Sequence, residues 1–372
     1  MFVTYTVRHI LEDNPMPTTA PSTPLAASRS RALDEPGAAG GAMPTMRAIT
    51  ADRYGAPADV LRLRRVERTT PGKGEVLVSV AAAGLSRAAL HLTTGTPYLV
   101  RLFGFGFRAP KHAMGIEVAG TVAAVGAGVE RLAVGDQVFG YAPGACAEFA
   151  VARADKLALR PEGLDVVHAA ALVDSASTAL QAVRDHGRVQ AGERVLVLGA
   201  SGGVGSFAVQ IAKAAGAEVT GTASTAKLLF VAGLGADHVV DHTAGDPLRV
   251  ADGAPFDVIL DLGGNRPVKA LRQALTSTGR LVIVGGEGGG KLTGGFQRQI
   301  LAPLRGVGSS QDLMTFVSTE HHRFLDDLAA MAVAGEIAVP IDRTHPIDEA
   351  PQGLARMEAG TLRGKDVVVI GP

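Results

Sequence analysis

Apolar and polar residues follow two different patterns along this chain. Between Met46 and about Glu148, short apolar runs are separated by glycine-containing turns, as at residues 75–82 (EVLVSVAA) and 115–125 (GIEVAGTVAAV). Many short strands joined by such turns are typical of a β-barrel. We therefore predict a partly closed barrel in this part of the chain.

Beyond Leu164 the pattern predicts alternating helices and strands. Residues 165–180 are rich in alanine and predict a helix, and residues 195–198 (VLVL) predict a parallel strand that is buried on both faces. Apolar residues at helical spacing occupy positions 204–215, and Gly216 is placed to end that helix. Further strands are predicted at 218–221, 238–240, 257–260 and 280–284. This α/β series predicts a doubly wound parallel sheet.

The last part of the chain is expected to return to the first domain. From about His321 the pattern predicts one helix and a final strand at residues 366–370. The predicted first domain therefore comprises residues 44–165 and 321–372, and the parallel sheet occupies residues 166–320.

Residues 1–43 differ from the remainder of the chain. Positions 16–41 are rich in Pro, Ala, Ser and Gly without any period, which predicts a disordered tail. The tail is either an extension before a start at Met43 or Met46, or a cleaved targeting peptide. Acidic residues argue against a transit peptide, and here they are Glu12, Asp13, Asp34 and Glu35.

The composition excludes several classes of protein. A formal net charge of +0 gives no basis for nucleic acid or an anionic membrane as a partner. The single cysteine, Cys146, excludes an internal disulfide and a thiolate-rich metal site, and it favours a reducing cytoplasm. No uninterrupted apolar run reaches the roughly 18 residues that indicate a membrane span.

Residues 199–205 (GASGGVG) lie between the VLVL strand and the following helix, which is the setting of a dinucleotide-binding loop. Glycine at 202 lets the backbone approach a pyrophosphate, glycine at 205 lets helix and strand pack closely, and the helix N-terminus faces the phosphates. Ala200 departs from the common pattern, which has its first glycine there. The predicted cofactor-binding residues in this loop are Ala200, Ser201, Gly202, Gly203, Val204 and Gly205.

The next strand decides which dinucleotide is expected. An acidic residue about 20 positions beyond the glycine loop binds the ribose of NAD. Residues 220–224 (TGTAS) contain no acid, whereas Ser224 and Lys227 can donate hydrogen bonds to a 2′-phosphate. The sequence therefore predicts NADP(H) as the cofactor.

Several motifs carry a resemblance to a known family, among them residues 192–219 (GERVLVLGASGGVGSFAVQIAKAAGAEV) and 363–370 (RGKDVVVI). The chain resembles the zinc-free branch of the medium-chain dehydrogenase/reductases, which includes quinone oxidoreductases and enoyl reductases. The resemblance implies a GroES-like, partly open β-barrel domain and a Rossmann domain. It also implies a homodimer, with an edge strand expected at residues 304–308. The other motifs lie at residues 74–86, 115–129, 135–140 and 234–241.

The family also has a zinc branch, which places a cysteine and a histidine at two motif positions. This chain has Ser86 and Ile116 there, so we expect no metal site. Without a Lewis acid to polarise an alcohol or a carbonyl, simple alcohol oxidation is not expected. The resemblance then implies reduction of an already polarised acceptor, either a quinone or an α,β-unsaturated carbonyl compound.

Further site residues are carried over from the family position by position. Ser86 stands where many relatives have an asparagine near the nicotinamide, and Thr178 matches a threonine beside that ring. His242 replaces a tyrosine near the adenosine phosphate, and Lys365 matches a lysine near the cofactor. The turns that line the cofactor are represented by Gly263 and Gly285.

Reduction of an enone produces an enolate, which needs a proton or a hydrogen-bond donor. Tyr98 is the first candidate, because it resembles the enoyl-reductase tyrosine with an offset of one residue. Tyr54 resembles a cleft tyrosine of quinone reductases. His91 and His112 are weaker candidates.

Two segments are expected to surround the substrate. Residues 98–107 (YLVRLFGFGF) contain Tyr98, Phe103, Phe105 and Phe107 and predict an apolar wall. The glycine-rich residues 285–295 predict a flap over the same cleft. Three functions stay open at this point: a quinone or enone reductase, a tailoring enoyl or ketone reductase of natural-product biosynthesis, and a non-catalytic cofactor-binding protein on the same fold.

Overall fold

The computed structural model describes residues 44–98, 101, 114–248, 253–264, 266–285, 290, 292–295 and 308–371. The predicted disordered tail, residues 1–43, lies outside the described residues. So does most of the predicted edge strand, residues 304–308, of which only Gly308 is described, in a turn. The homodimer stays a prediction.

The barrel is built on a seven-stranded sheet whose order is β14-β15-β3-β4-β5-β7, with β6 also paired to β3. Apart from the parallel pair β14–β15, the pairs are antiparallel. A separate antiparallel pair, β1 and β2, lies beside it. The strands of both sheets are β1 Thr45–Ala51, β2 Leu61–Glu67, β3 Glu75–Gly84, β4 Glu117–Val125, β5 Gln137–Tyr141, β6 Phe149–Arg153, β7 Leu157–Leu159, β14 Ile341–Pro346 and β15 Lys365–Val369.

The second sheet has six parallel strands in the order β10-β9-β8-β11-β12-β13. This is the strand order of a doubly wound dinucleotide-binding sheet, with its crossover point between the first and fourth strands in sequence. The predicted α/β fold with a GroES-like barrel and a Rossmann domain is therefore confirmed. The strands are β8 Arg194–Leu198, β9 Glu218–Ala223, β10 His238–Asp241, β11 Phe256–Asp261, β12 Leu275–Ile283 and β13 Asp312–Thr315.

Helices alternate with the strands along the chain. They are α1 Pro57–Val60, α2 Arg87–Thr94, α3 Val166–Leu180, α4 Gly203–Ala214, α5 Leu228–Gly233, α6 Val268–Gln273, α7 His322–Val333 and α8 Ala350–Glu358. One turn of π-helix, Gln181–His186, continues α3, and short 3-10 helices lie at Ala154–Lys156, Thr225–Lys227 and Ile347–Glu349.

Helix α3 is the wall shared by the two sheets. Asp165 caps its N-terminus by accepting hydrogen bonds from Val167 N (2.9 Å) and His168 N (3.0 Å). The helix then packs on β3, β4 and β5 on one side and on α4 on the other. The segment Val166–His186 is long and apolar enough to cross a membrane, but 72% of its apolar 18-residue window is buried in the protein. Its apolar character is therefore explained by core packing.

The end of the chain contains more structure than the sequence predicts. The prediction of one helix and one strand after His321 was incomplete, because β14 and α8 are also present. Helix α7 packs on α3, whereas β15 pairs antiparallel with β3 and brings Val367 opposite Gly84. The predicted domain boundaries stay predictions.

Candidate active site

Three glycine-containing turns meet at the carboxyl edge of the parallel sheet, after β8, β11 and β12. A methyl group on Gly199 would lie 3.4 Å from Gly263 N, and one on Gly285 would overlap the carbonyl oxygen of Leu262. Ligands of open α/β sheets bind outside the carboxyl ends of the strands, at the crossover point. The two predicted lining residues Gly263 and Gly285 therefore lie beside the predicted phosphate loop.

The turn after β8 explains why Ala200 is tolerated in this loop. Gly199 takes the left-handed conformation (φ 84°), which only glycine adopts without strain, while the alanine is not among the residues with positive φ. Ala200 is completely buried, and its N–H donates to Thr222 O at 3.0 Å. The position that must be glycine is therefore one residue earlier than the common pattern suggests.

Helix α4 points its N-terminus out of this turn. Gly202 is the N-cap residue and has no side chain to satisfy the first N–H groups of the helix. A methyl group on Gly205 would overlap Gly199 O, so glycine at that position is what allows helix and strand to pack. These are the features of a phosphate-binding helix N-terminus, so the loop fits the pyrophosphate of a dinucleotide.

Two cationic side chains, Lys227 and Arg363, lie near the end of β9, where the sequence predicts the 2′-phosphate of the cofactor. Ser224 precedes the 3-10 helix that holds Lys227, whose Nζ donates to Gly360 O (2.6 Å) and Leu362 O (2.7 Å). Partial burial lowers the pKa of Lys227, and the nearby charge of Arg363 lowers it as well. Sequence reasoning missed Arg363, although it belongs to the conspicuous RGK motif.

An acid also lies close to this end, and sequence reasoning missed it. Asp241 is opposite Ala223 in the β9–β10 pair, and hydrogen bonds from Thr225 and Thr243 lower its pKa to about 2. The predicted adenosine residue His242 follows it, is exposed, and donates its N–H to Ala223 O at 3.1 Å. The end of β9 contains no acidic residue, but the Asp241 carboxylate of the neighbouring strand β10 therefore lies beside it.

Lys365 lies under the phosphate loop and points its charge into the protein. A methyl group on Gly203 would touch Ser175 Oγ (2.9 Å) and Lys365 Cδ (3.3 Å). The ammonium group donates to both carboxylate oxygens of Glu117 (2.8 and 2.9 Å), to Leu85 O (2.8 Å) and to Ser175 Oγ (3.2 Å). The predicted cofactor lysine is thus the partner of a buried carboxylate.

The Glu117–Lys365 pair is completely enclosed, since the two side chains are 0% and 1% exposed. Burial raises the pKa of the Glu117 carboxyl to about 7, while the charge of Lys365 opposes this rise. Ser86, the third predicted catalytic residue, is buried beside the pair, and half-buried Asp174 lies close to it. Sequence reasoning missed Glu117 and Asp174 as members of the site.

The two candidate tyrosines meet around one arginine. The guanidinium group of Arg101 lies 4.4 Å from the centre of the Tyr54 ring and 4.6 Å from that of Tyr98. Its Nε donates to Gly95 O at 2.6 Å, which fixes it at the end of α2. Burial raises the pKa of Tyr54, and Tyr98 is 41% exposed. Both rings therefore share one edge of the barrel.

Comparison with known proteins identifies the family. Residues 72–164 match the family model described as "Alcohol dehydrogenase GroES-like domain", and residues 234–368 match the one described as "Zinc-binding dehydrogenase". A mitochondrial NAD(P)H oxidoreductase of Bos taurus is 30% identical over 330 residues, which cover 79% of this chain and 81% of the relative. The chain belongs to the medium-chain dehydrogenase/reductase superfamily.

Solved structures place it in the quinone oxidoreductase-like branch. The quinone oxidoreductase from Coxiella burnetii is 26% identical, with a TM-score of 0.76 over 88% of this chain and 100% of that one. The CurK enoyl reductase is 27% identical, with a TM-score of 0.75 over 87% of this chain and 99% of that one. The predicted resemblance is confirmed, and the chain is an oxidoreductase of this superfamily.

The remaining predicted site residues lie on α3 and on the loop that follows α2. Thr178 is buried on α3, one helical turn beyond Asp174. His91 holds the loop before Tyr98, because its Nδ1 contacts Thr96 O at 2.6 Å. His112 and the three phenylalanines of the predicted wall lie outside the described residues.

The structure describes residues 285, 290 and 292–295 of the predicted flap. A methyl group on Gly294 would lie 2.6 Å from Pro97 Cγ, so this glycine contacts the loop that carries Tyr98. Segments of both domains therefore meet next to the tyrosine pair. A gating role for the segment stays a prediction.

Over the described ranges, no group of three or more His, Cys, Asp or Glu side chains could hold a metal ion. At the two zinc-ligand positions of the superfamily this chain has the hydroxyl of Ser86 and the hydrocarbon side chain of Ile116. Neither is a ligand type that zinc prefers in proteins.

Proposed function

We propose that this protein reduces a quinone or an α,β-unsaturated carbonyl compound with NADPH, without a catalytic metal. The observation that carries the proposal is that the dinucleotide loop packs against the buried Lys365, while Ser86 and Ile116 occupy the two positions of the zinc ligands. A nicotinamide cofactor supplies a hydride when it is bound. The acceptor must then be polarised by its own conjugation and by the hydrogen-bond donors of the protein.

Different residues of the chain bind the cofactor and the acceptor in this proposal. The turn at Gly199 and the N-terminus of α4 hold the pyrophosphate, and the close contact at Gly205 keeps that helix in place. Ser224, Lys227 and the nearby Arg363 are available for a 2′-phosphate. Tyr98 and Tyr54, whose rings contact the same Arg101, are the proposed donors to the oxygen of a flat acceptor.

The direct test is a panel of acceptors with NADPH and NADH, followed by the loss of nicotinamide absorbance. We expect quinones and enones to be reduced and saturated ketones to react far more slowly. Simple ketones or aldehydes as the preferred acceptors, or activity that depends on bound zinc, would contradict the proposal. Enoyl thioesters belong in the panel, because the similarity to the CurK enoyl reductase favours a tailoring enoyl reductase as the second candidate.

The cofactor preference can be tested at Lys227. Lys227→Glu should weaken NADPH binding by about 10-fold or more relative to NADH, because it replaces a charge-assisted hydrogen bond by repulsion. Since Lys227 also bonds Gly360 O and Leu362 O, the ratio of the two dissociation constants is the quantity to measure.

Lys227→Met is the matched control, and it should change the ratio less than the glutamate does. Asp241→Asn should change it in the opposite direction, because it removes a negative charge near the 2′-phosphate. Equal affinities of the parent protein for NADPH and NADH would show that the predicted preference is wrong.

Tyr98 can be tested by removing only its hydroxyl group. Tyr98→Phe should lower kcat for an enone by about 10²-fold, the usual contribution of a positioned acid or donor. A quinone should lose less, since its reduced anion is more stable, and NADPH binding should not change. The ring remains to pack on Arg101, so the fold is preserved.

Tyr54→Phe provides the comparison for that experiment, because its ring contacts the same guanidinium group. If enone turnover in Tyr98→Phe stays within about threefold of the parent, far below the range for a general acid, Tyr98 is only a wall of the cleft.

A further inference from the structure

Arg101 carries a positive charge that the function proposed above does not use. Its guanidinium carbon lies 4.4 Å from the centre of the Tyr54 ring and 4.6 Å from that of the Tyr98 ring. We call these three residues the arginine cluster. Because the two tyrosines are the proposed donors to the acceptor oxygen, the charge lies beside the proposed acceptor site.

The chain fixes Arg101 at the C-terminal end of α2. Its Nε donates to Gly95 O at 2.6 Å, and its Nη2 reaches Thr94 O at 3.5 Å. Its backbone N–H donates to Tyr98 O at 3.1 Å. Glycine at 95 leaves room for this arrangement, because a methyl group there would lie 2.5 Å from Tyr54 Cγ and 2.7 Å from Arg101 Nε. An arginine that is held in this way loses little further freedom when its other donors bind a ligand.

One edge of the guanidinium group makes no contact with a described residue. Of its five N–H donors, Nε and one N–H of Nη2 face the carbonyls at the end of α2. Over the residues that the structure describes, the N–H groups of Nη1 and the second N–H of Nη2 donate to no protein acceptor. The edge formed by these two nitrogens matches the two oxygens of a carboxylate, which binds such an edge with parallel hydrogen bonds.

No carboxylate of the described ranges neutralises Arg101. Its partners there are carbonyl oxygens and aromatic rings, which carry no net charge. The surrounding sequence is also free of acids, since residues 87–116 contain no Asp or Glu but include Arg87, Arg101, Arg108 and Lys111. A cation without a counter-charge attracts an anion.

The aromatic rings make the surroundings of this charge less polar. Arg101 and Tyr54 are half-buried, whereas Tyr98 is 41% exposed. Burial raises the pKa of the Tyr54 hydroxyl, and the charge of Arg101 opposes this rise. Ion pairs are stronger where water is partly excluded, so an anion gains more from this arginine than from a fully exposed one. The cluster still reaches the surface at Tyr98, which gives a ligand access from solvent.

A contact between the two domains puts the cluster on the cofactor side of the barrel. Pro97 precedes Tyr98, and a methyl group on Gly294 would lie 2.6 Å from Pro97 Cγ. Gly294 belongs to the segment that begins at Gly285, directly after β12 and beside the dinucleotide loop. This segment therefore runs in sequence from the carboxyl edge of the parallel sheet to the loop that holds Arg101.

We propose that Arg101 binds an anionic oxygen group of the acceptor, so that the preferred substrates are quinones or conjugated carbonyl compounds that carry a carboxylate. This inference rests on the proposed function, because it names the substrate class of that reaction. In the described cluster one cation balances one negative charge, which a carboxylate carries, whereas a phosphate monoester carries more near neutrality. Arg101 is then a specificity-determining residue, and no bond is made or broken at it.

A purely structural role is the alternative for Arg101. Cations stabilise the C-terminal end of a helix, and both carbonyls that Arg101 contacts lie at the end of α2. In that case its removal changes the stability of the protein but not the choice between charged and neutral acceptors. The two roles therefore predict different results.

The first experiment compares acceptors that differ only in charge. The para- and meta-carboxylates of benzylideneacetone place one charge at two positions relative to the same enone, and their methyl esters are the neutral partners. The parent should have a kcat/KM at least about 10-fold higher for one carboxylate than for its ester, mainly through KM, as a hydrogen-bonded charge contributes. Arg101→Met should remove this preference while kcat for the esters changes little.

A binding measurement tests the site without turnover. Dihydrocinnamate and its amide have the same shape, and neither accepts a hydride because neither has a conjugated C=C bond. With NADP⁺ present, the parent should bind the acid at least about 10-fold more tightly than the amide, and salt should reduce the difference. Arg101→Met should abolish it. Phenyl phosphate is the second anion, and tighter binding of phenyl phosphate than of dihydrocinnamate would overturn the assignment to a carboxylate.

Two variants separate the guanidinium group from positive charge in general. Arg101→Lys keeps the charge but not the planar edge, so it should retain only part of the preference. Arg53→Met is the matched control, because Arg53 is an exposed arginine next to Tyr54. It should change the ratio of kcat/KM values by less than about threefold, as expected for an exposed charge.

Three results would overturn the inference. One is a parent protein that treats carboxylates and neutral partners alike in both experiments. The second is an Arg101→Met variant that slows acids and esters equally, which would assign the arginine to the reaction or to the stability of α2. The third is an Arg53→Met variant that loses the same preference. A parent that reduces no enone or quinone but still binds dihydrocinnamate through Arg101 would instead overturn the proposed function and leave the anion site in place.

Discussion

Replacing Lys365 with methionine should destabilise the protein by about 3–5 kcal/mol above neutral pH, the usual cost of removing one partner of a buried ion pair. The Glu117 carboxylate would be left in a site with 0% exposure, and Ser175 would lose its donor. The stem of methionine fills most of the space under Gly203, so packing changes little. The expected loss is therefore mainly electrostatic.

The loss of stability in Lys365→Met should depend on pH, and the pKa of Glu117 gives its direction. Because the pKa of Glu117 is raised in the folded protein, from 4.5 to about 7, its contribution to stability is fully present below the unfolded value and is lost as the pH rises through the folded value. Lys365 opposes that rise, so its removal should raise the pKa further. The difference between parent and variant should consequently be small in acid and grow through neutrality.

Urea unfolding of parent and variant on both sides of neutrality measures this difference, provided that the slopes agree. The double variant Glu117→Gln/Lys365→Met should recover much of the stability, because no buried charge remains. Arg153→Met is the surface control: Arg153 pairs with Asp155 at 2.8 Å but is 63% exposed, so its loss should cost about 0–1 kcal/mol. A Lys365→Met effect that does not depend on pH would point to lost packing instead.

Local sequence patterns were sufficient to predict the parallel sheet. The apolar run at 195–198 lies inside β8, whose last four residues are all buried, and Gly216 follows α4 in the left-handed conformation. Both features depend on neighbours in sequence, so periodicity and turn chemistry predict them. The phosphate loop was predictable for the same reason, because strand, turn and helix are consecutive.

The strand and the ion pair that the sequence did not predict depend on contacts between residues far apart in the chain. Strand β14 has the sequence IDRTHP, which carries no apolar alternation, and it forms a strand by pairing in parallel with β15. Glu117 and Lys365 are 248 positions apart, so no local pattern joins them. One signal was available. Glu117 begins a strand that is otherwise almost entirely apolar, and Lys365 begins one that ends in three valines, so burying either charge is costly unless opposite charges meet.

Alanine at Gly205 and alanine at Gly202 should have different effects, although both glycines belong to the same loop. A methyl group at position 205 would overlap Gly199 O, a backbone atom that cannot move without shifting α4 or β8. We expect Gly205→Ala to cost about 1–3 kcal/mol of stability, as overpacking does, and to weaken NADPH binding because the helix N-terminus is displaced.

A methyl group at position 202 meets nothing closer than Gly199 O at 3.5 Å, an ordinary contact, and Gly202 has an extended backbone (φ −82°) that alanine adopts freely. The free Gly202→Ala protein should therefore be as stable as the parent. The methyl group would nevertheless stand where a pyrophosphate approaches the backbone, so NADPH binding should be lost. Thermal unfolding without cofactor and titration with NADPH separate the two effects. If Gly202→Ala binds NADPH as tightly as the parent, the pyrophosphate does not lie at this helix N-terminus, and the assignment of the loop is wrong.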